Sequence, residues 1–269
     1  MNLRLFWHDV AVCARSPWGL SQRVKVLAVL LLDRWNAYTP LKWRPVLQAP
    51  ITYQERPIRL AVRMDSNDSY VFRELFLYHH YDHPLGEPAT ILDLGANCGY
   101  ATLLFAARYP NARIAAVEPH ADNLAALRSN LELNGVQAVV FEGAATREDG
   151  AVTLFVRESL SHGLVVRERT GHGGELTVRG FSIPTLLNQL EWDHIDLLKI
   201  DIEGYERVLF AGHPPWLRRV TRIIGEYHDS YRLSEVSSDL CPLGFAVTAL
   251  PGRNMFLAVR NGQPGREAG

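Results

Sequence analysis

Three features of the 269-residue chain predict an α/β fold built on a doubly wound, Rossmann-like sheet. An apolar strand at 90–94 breaks at Gly95-Ala96-Asn97-Cys98-Gly99, leads into a helix, and is followed by a second strand ending in Glu118. Strand and helix patterns then alternate, which calls for right-handed crossovers and a mostly parallel sheet. A later apolar strand, 194–200, ends in Lys199 and opens onto Asp201 and Glu203, at the edge where open parallel sheets hold their ligands.

Residues 1–38 read as one or two helices, broken near Ser16-Pro17-Trp18-Gly19 and stopped before Pro40. The stronger helix, Ser21 to Tyr38, is apolar nearly all round its middle, so its own domain, a partner chain or a membrane surface has to bury it. Packing within the protein or in a homodimer is expected. Peripheral membrane contact is the alternative, for which Arg23, Lys25 and Arg34 supply only part of a basic face. No transmembrane segment is expected, because the apolar run 26–32 is far short of the roughly 20 residues that span a bilayer.

Alternation of Ile58, Leu60 and Val62 with Arg59 and Arg63 predicts a hairpin over 46–64. Asp65 to Tyr81 follows as a helix, capped by Ser66, Asn67 or Asp68 and buried through Val71, Phe72, Leu75 and Tyr78. Pro84 to Pro88 links it to strand 90–94, helix 99–108, strand 112–118, helix 121–134 and strand 136–141. Short alternating runs at 151–157, 163–168 and 175–181, separated by glycines, predict a small antiparallel β insertion. Helix 184–190 and strand 194–200 resume the sheet. Strand 220–226, a helix near 231–240 and a hairpin of 244–250 with 254–260 complete it. The chain thus divides into an N-terminal helical extension (1–45), a hairpin and helix (46–88), a core domain (89–260) and a Gly/Pro-rich tail (261–269) expected to be disordered.

A net charge of −1, with no basic run interleaved with aromatics, argues against a nucleic-acid partner and for a small acceptor. Cys13, Cys98 and Cys241 are odd in number and widely spaced, which fits a reducing compartment, with the cytoplasm as the default. The Asn67-Asp68-Ser69 sequon carries no information without a secretory signal, and none is visible.

The glycine loop points to an adenosine cofactor without phosphates. A dinucleotide fingerprint needs Gly-x-Gly-x-x-Gly, yet the spacing here is Gly-x-x-x-Gly with Asn97 in part of the space; a P-loop needs Gly-Lys-Ser/Thr, yet Cys98-Gly99-Tyr100 follows. Gly95 and Gly99 let the main chain come close to a ligand, the following helix offers unpaired N–H groups, and Glu118 can accept from both ribose hydroxyls. S-adenosylmethionine fits these features. Asp201, Glu203, Glu226 and His228 all fall at strand ends on this same edge.

These motifs together resemble the FkbM family of S-adenosylmethionine-dependent methyltransferases, within the class I methyltransferase fold. The resemblance rests on LDLGANCGY at 92–100, VEP at 117–119, LLKIDIEGYE at 197–206 and EYH at 226–228, supported by DSYVFRELFLY at 68–78, and covers about residues 51–260. It implies a seven-stranded sheet with an antiparallel last strand, and O-methylation of a small-molecule hydroxyl. It also implies cofactor binding by Asp93, Gly95, Asn97, Gly99 and Glu118, with Asp201, Glu203 and His228 facing the reaction pocket. One departure is Ser182-Ile183-Pro184, where family members often carry a Leu-Asp pair.

An aliphatic hydroxyl hardly ionises at neutral pH, so a base is expected: His228, with Asp201 or Glu203 orienting it or acting directly. A divalent metal on Asp201, Glu203, Glu226 and His228 is conceivable but not favoured. His79, His80 and His83 read as solvated or capping residues after a helix end. The rival functions are a silent binding or scaffold protein on the same fold and a nucleotide-dependent oxidoreductase, which the loop spacing disfavours.

Overall fold

The computed structural model describes residues 3–39, 43, 45–64, 66–156, 164–165, 175–228, 231–251 and 254–261. Two helices, α1 (Leu3–Arg15) and α2 (Leu20–Tyr38), precede an antiparallel hairpin of β1 (Val46–Tyr53) and β2 (Arg56–Arg63). Gln54 and Glu55 form its two-residue turn with positive φ at both, the geometry whose twist matches the strands. One face of α2, with Val26, Val29 and Leu30, is buried in the core. The Trp18 indole N–H donates to Thr52 O at 3.0 Å and the Gln22 amide to Thr52 Oγ1 at 3.0 Å, tying the extension to β1.

The helix expected over 65–81 is shorter. It runs as α3 (Asp68–Phe72) and widens into a π turn over Arg73–Leu77, where Tyr78 N–H donates to Arg73 O, five residues back. Asp65 lies outside the described residues. The apolar stripe serves both geometries, so periodicity alone could not separate them.

The remaining elements are β3 (Thr90–Leu94), α4 (Tyr100–Arg108), β4 (Arg113–Glu118), α5 (Ala121–Asn134), β5 (Val139–Glu142), β6 (Ala144–Thr146), β7 (Gly150–Val156) and β8 (Leu164–Val165). They continue as β9 (Glu175–Ser182), α6 (Ile183–Leu190), β10 (Ile195–Ile200), α7 (Glu206–Phe210), β11 (Val220–Glu226), α8 (Leu233–Leu240), β12 (Phe245–Ala249) and β13 (Met255–Arg260). Seven strands form one mixed sheet in the order β12-β13-β11-β10-β3-β4-β5. Strands from β11 to β5 are parallel and β13 is antiparallel to both neighbours, as the sequence pattern and the resemblance imply. One face is covered by α4, α5, the hairpin and the N-terminal helices around Phe72, Phe76, Tyr100 and Phe105; the other by α6, α7 and α8 around Phe181, Leu186 and Phe210.

The β insertion is a second sheet, β6-β9-β7-β8, in which β7 pairs antiparallel with β8 and β9, and β6 pairs parallel with β9. Of the strand expected at 163–168 only Leu164–Val165 lies among the described residues, and the expected tail lies outside them after Asn261. Asp149, before β7, accepts from Ser182 N–H at 2.8 Å and the Thr185 hydroxyl at 2.6 Å. An acid therefore stands at the start of α6 even though Pro184 cannot supply one.

A buried ion triad fastens the extension to the rest. The Arg73 guanidinium contacts Asp9 at 2.9 Å and Asp33 at 2.7 Å, and Asp9 is fully buried and also accepts from the Tyr78 hydroxyl. Burying a lone charge is far costlier than burying a pair. Arg73→Met should therefore lower unfolding stability by about 3–5 kcal/mol in urea denaturation; a loss below about 1 kcal/mol, the range of an exposed pair, would show the triad to be dispensable.

Candidate active site

Glu118 closes β4 at the carboxyl edge of the sheet and is almost wholly buried. Its Oε2 accepts from Asn97 N–H at 2.9 Å and its Oε1 from His120 N–H at 2.9 Å. Oε1 also accepts from the Asn123 side-chain amide at 3.4 Å, whereas Oε2 keeps a further lone-pair direction, because a carboxylate oxygen has two. Gly95, Asn97, Glu118, Asn123, Asp201 and Glu203 line one cleft together with Val117, Ala144, Ala145, Leu154 and Ile202.

The glycine loop is shaped less by a ligand than by its own neighbour. Gly95 has φ +76°, and a Cβ there would sit 1.9 Å from the Asp201 carbonyl oxygen. The close approach demanded of Gly95 is thus to the loop after β10. Gly99, at φ +88°, caps α4, and a Cβ there would meet Leu127 of α5 at 2.5 Å. Gly99 is therefore a helix-packing residue and does not line the cleft. Asp93 is also displaced from the expected cofactor contact: it is fully buried, pairs with Lys199 Nζ at 3.0 Å and accepts from the Thr102 hydroxyl at 2.7 Å. Both residues support the loop from beneath, whereas Gly95, Asn97 and Glu118 reach the cleft.

A second cleft adjoins the first and shares Gly95, Asn97 and Asp201 with it. Glu74, His80, Tyr81, Lys199 and Glu226 complete its polar lining. Sequence reading missed Glu74 as a site residue and took His80 for a solvated or capping one. The available signal was an acid set in the apolar run of the 68–78 segment, which the widened π turn presents here. Such turns gather at functional sites.

His228 is central to the charge pattern. Its Nδ1 lies 3.0 Å from Glu206 Oε1, and its Nε2 lies 3.6 Å from Asp201 and 3.7 Å from Glu226. Glu206 is fully buried and accepts from Ile202 N–H and Gly204 N–H, both at 2.9 Å, so one carboxylate shapes the loop and orients the imidazole. The expectation that Asp201 or Glu203 would orient His228 is corrected to Glu206, the last acid of the 201–206 motif. Burial opposes the imidazolium, but the Glu206 hydrogen bond and the charges of Asp201, Glu206 and Glu203 outweigh it and push His228 up to about 10. It is therefore an imidazolium at neutral pH, without the free lone pair a base needs. That charge state argues against His228 as the general base.

The surrounding acids are also shifted upward, which for a carboxyl favours the neutral form. Burial, with Asp201 and Glu203 adding to it, pushes Glu74 up to about 7. Burial and the charges of Asp201 and Glu74 drive Glu226 well above the usual carboxylate range. Two triads, Asp201 with Glu203 and His228, and Glu74 with His80 and Glu226, bring their ligand atoms within 4.8 Å of one another.

This edge chemistry is matched by sequence. The FkbM methyltransferase domain model matches residues 93–241, more than half of the chain. The chain belongs to the FkbM methyltransferase family. The FkbM chain is 31% identical over 163 residues to the AMB antimetabolite synthetase AmbE of Pseudomonas aeruginosa, a match covering 58% of this chain and 8% of that protein. It is 25% identical over 170 residues to Methyltransferase 1 of Beauveria bassiana, covering 53% of this chain and 66% of that one. Less than two thirds of each relative is therefore spanned. An FkbM methyltransferase structure from Methylobacillus flagellatus aligns with a TM-score of 0.46 at 14% identity, over 95% of this chain and 59% of that one.

The cofactor of such a methyltransferase, S-adenosylmethionine, fits the first cleft on three grounds. Its lining carries the acids Asp201 and Glu203 and, among the described residues, no Lys or Arg, which suits a cationic sulfonium and amino group better than a pyrophosphate. Glu118 Oε2 keeps an acceptor direction for a ribose hydroxyl. Asn97 Oδ1 is a buried acceptor without a hydrogen-bond partner among the described residues, suited to a ligand donor.

A raised histidine pKa has a definite linkage sign: its stabilisation is complete below the unfolded value near 6.5 and is lost as pH rises through about 10. NMR titration should find the His228 ring still protonated above pH 8, and Glu206→Gln should bring its midpoint down toward about 6.5. A wild-type midpoint near 6.5 would overturn the imidazolium assignment.

Proposed function

We propose that the chain transfers a methyl group from S-adenosylmethionine to a hydroxyl of a small acceptor such as a sugar or natural product. The observation that carries this reading is the pair of adjoining clefts with a common wall of Gly95, Asn97 and Asp201. When bound, the cofactor supplies an electrophilic methyl on its sulfonium. Glu118 and Asn97 hold its polar groups in the first cleft, and Asp201 and Glu203 present negative charge to the same space.

The acceptor belongs in the second cleft, where the chain offers a base. Glu74 loses its proton near neutrality, the poise that general-base catalysis favours. His228 stays charged, and as a cation beside Asp201 and Glu226 it limits how much carboxylate repulsion the cleft carries. Orientation of the two reactants across one wall supplies the larger part of the acceleration, up to about 7–11 kcal/mol for well-aligned pairs.

The test begins with isothermal titration of S-adenosylhomocysteine. Glu118→Gln removes one charged acceptor, worth about 1.5–3 kcal/mol, and should weaken binding at least about tenfold with the circular dichroism unchanged; wild-type affinity in that variant would remove Glu118 from the site.

Glu74→Gln should leave that affinity intact and lower turnover by about 10²–10⁴, measured as labelled methyl transfer to hydroxylated acceptors. The wild-type rate should climb with pH through about 7 as Glu74 ionises. Label recovered on nitrogen or carbon would rule out O-methylation, and a rate flat across neutrality would rule out Glu74 as the base.

A further inference from the structure

The second face of α2 carries an exposed apolar stripe along the whole helix. Leu20 is 79% exposed, Val24 56%, Leu31 56%, Trp35 51% and Tyr38 59%. At about 3.6 residues per turn these five fall within a wedge of roughly 60°, opposite buried Val26, Val29 and Leu30. Trp43, its backbone held at both N–H and C=O by the Asn36 side chain at 2.9 and 2.6 Å, adds a further exposed indole beside the end of the helix. Isolated apolar side chains on a surface need no explanation, but a continuous stripe of large ones does.

The charge on this part of the chain identifies what covers the stripe. Residues 1–45 hold seven Lys or Arg and two Asp, a net of +5, while the whole chain is −1, so the remainder carries −6. Both acids of this segment, Asp9 and Asp33, are engaged inward with Arg73. Lys25 and Arg15 are exposed. The segment therefore offers water an apolar, Trp- and Tyr-bearing stripe flanked by positive charge. In a two-fold dimer a second copy would bring this patch against itself, setting its exposed Lys25 and the net positive charge of the segment against their own kind. An anionic lipid surface complements both properties: indole and phenol rings settle at the headgroup level, and basic side chains are drawn to the negative leaflet.

We infer that α2 docks this chain on the surface of an anionic membrane, lying in the interface with Leu20, Val24, Leu31, Trp35 and Tyr38 toward the lipid. The docking is peripheral, since no helix among the described residues is long and apolar enough to cross a bilayer. It stands independently of the methyl-transfer reading, and its test reads binding and not turnover.

The experiment is flotation of the full chain with vesicles of phosphatidylcholine alone and of phosphatidylcholine with phosphatidylglycerol in equal parts. The chain should float with the anionic vesicles, stay behind with the neutral ones, and release as salt is raised. Both test substitutions are at exposed positions, so the fold is retained. Leu31→Glu should abolish flotation, and Lys25→Glu should weaken partition by roughly tenfold or more. Failure to float with either vesicle would overturn the inference. So would light scattering that shows a wild-type dimer which Leu31→Glu dissociates, because the stripe would then belong to a second copy.

Discussion

The buried ammonium of Lys199 is the contact on which the site depends. Lys199 stands in register opposite Asp93 on the neighbouring central strand, pairs with it at 3.0 Å, and donates to the Gly95 carbonyl at 2.7 Å. Burial disfavours its charge, but Asp93 and Asp201 more than restore it. One cation thereby ties β3, β10 and the glycine loop at a single point of the sheet edge. The Asp201 N–H donates to Leu94 O at 3.2 Å beside it, and Gly95 lies too close to Asp201 to bear a side chain. The two loops that line the first cleft are therefore parts of one packed unit. A buried pair of this kind is weak as a source of stability; what it fixes here is the position of the loops relative to one another.

Negative charge crowded at the edge follows from the same construction. Parallel strands bring their carboxyl ends together, so Glu118, Asp201, Glu203 and Glu226 converge, and the π turn adds Glu74 from outside the sheet. Carboxylates this close cannot all ionise in a partly dry site. The structure answers with two cations, Lys199 below the loop and His228 beside Glu206, and with raised pKa values for Glu74 and Glu226. Proton occupancy is thus distributed over the group, with Glu74 left nearest to neutrality.

What the sequence made legible and what it hid divide along a physical line. The sheet, its order of elements and the cleft positions of Gly95, Asn97, Glu118, Asp201 and Glu203 were readable because each is carried by local pattern or by a short motif. Asp93 and Gly99 belong to that same motif, yet one faces Lys199 and the other Leu127, and a motif does not say which of its residues touch ligand and which touch protein. His228 was harder to read for a related reason. Its charge state is set by Glu206, 22 residues away in sequence, and by Asp201 and Glu203, and only their distances decide whether the ring is a base or a cation. The widened turn at 73–77 was invisible because its buried positions satisfy an ordinary helical stripe equally well.

That turn joins the two ends of the molecule. Arg73 points inward to Asp9 and Asp33 and so holds α1 and α2, while the next residue, Glu74, lines the second cleft. A displacement of α2 is therefore felt first at Arg73 and next at the Glu74 carboxyl that lines the second cleft. An extension fastened only by apolar contact could shift without consequence for the cleft; one fastened through a buried, geometrically exacting guanidinium cannot. The N-terminal helices are thus part of the structure that sets the second cleft, although the glycine loop and the charged strand end lie wholly outside them.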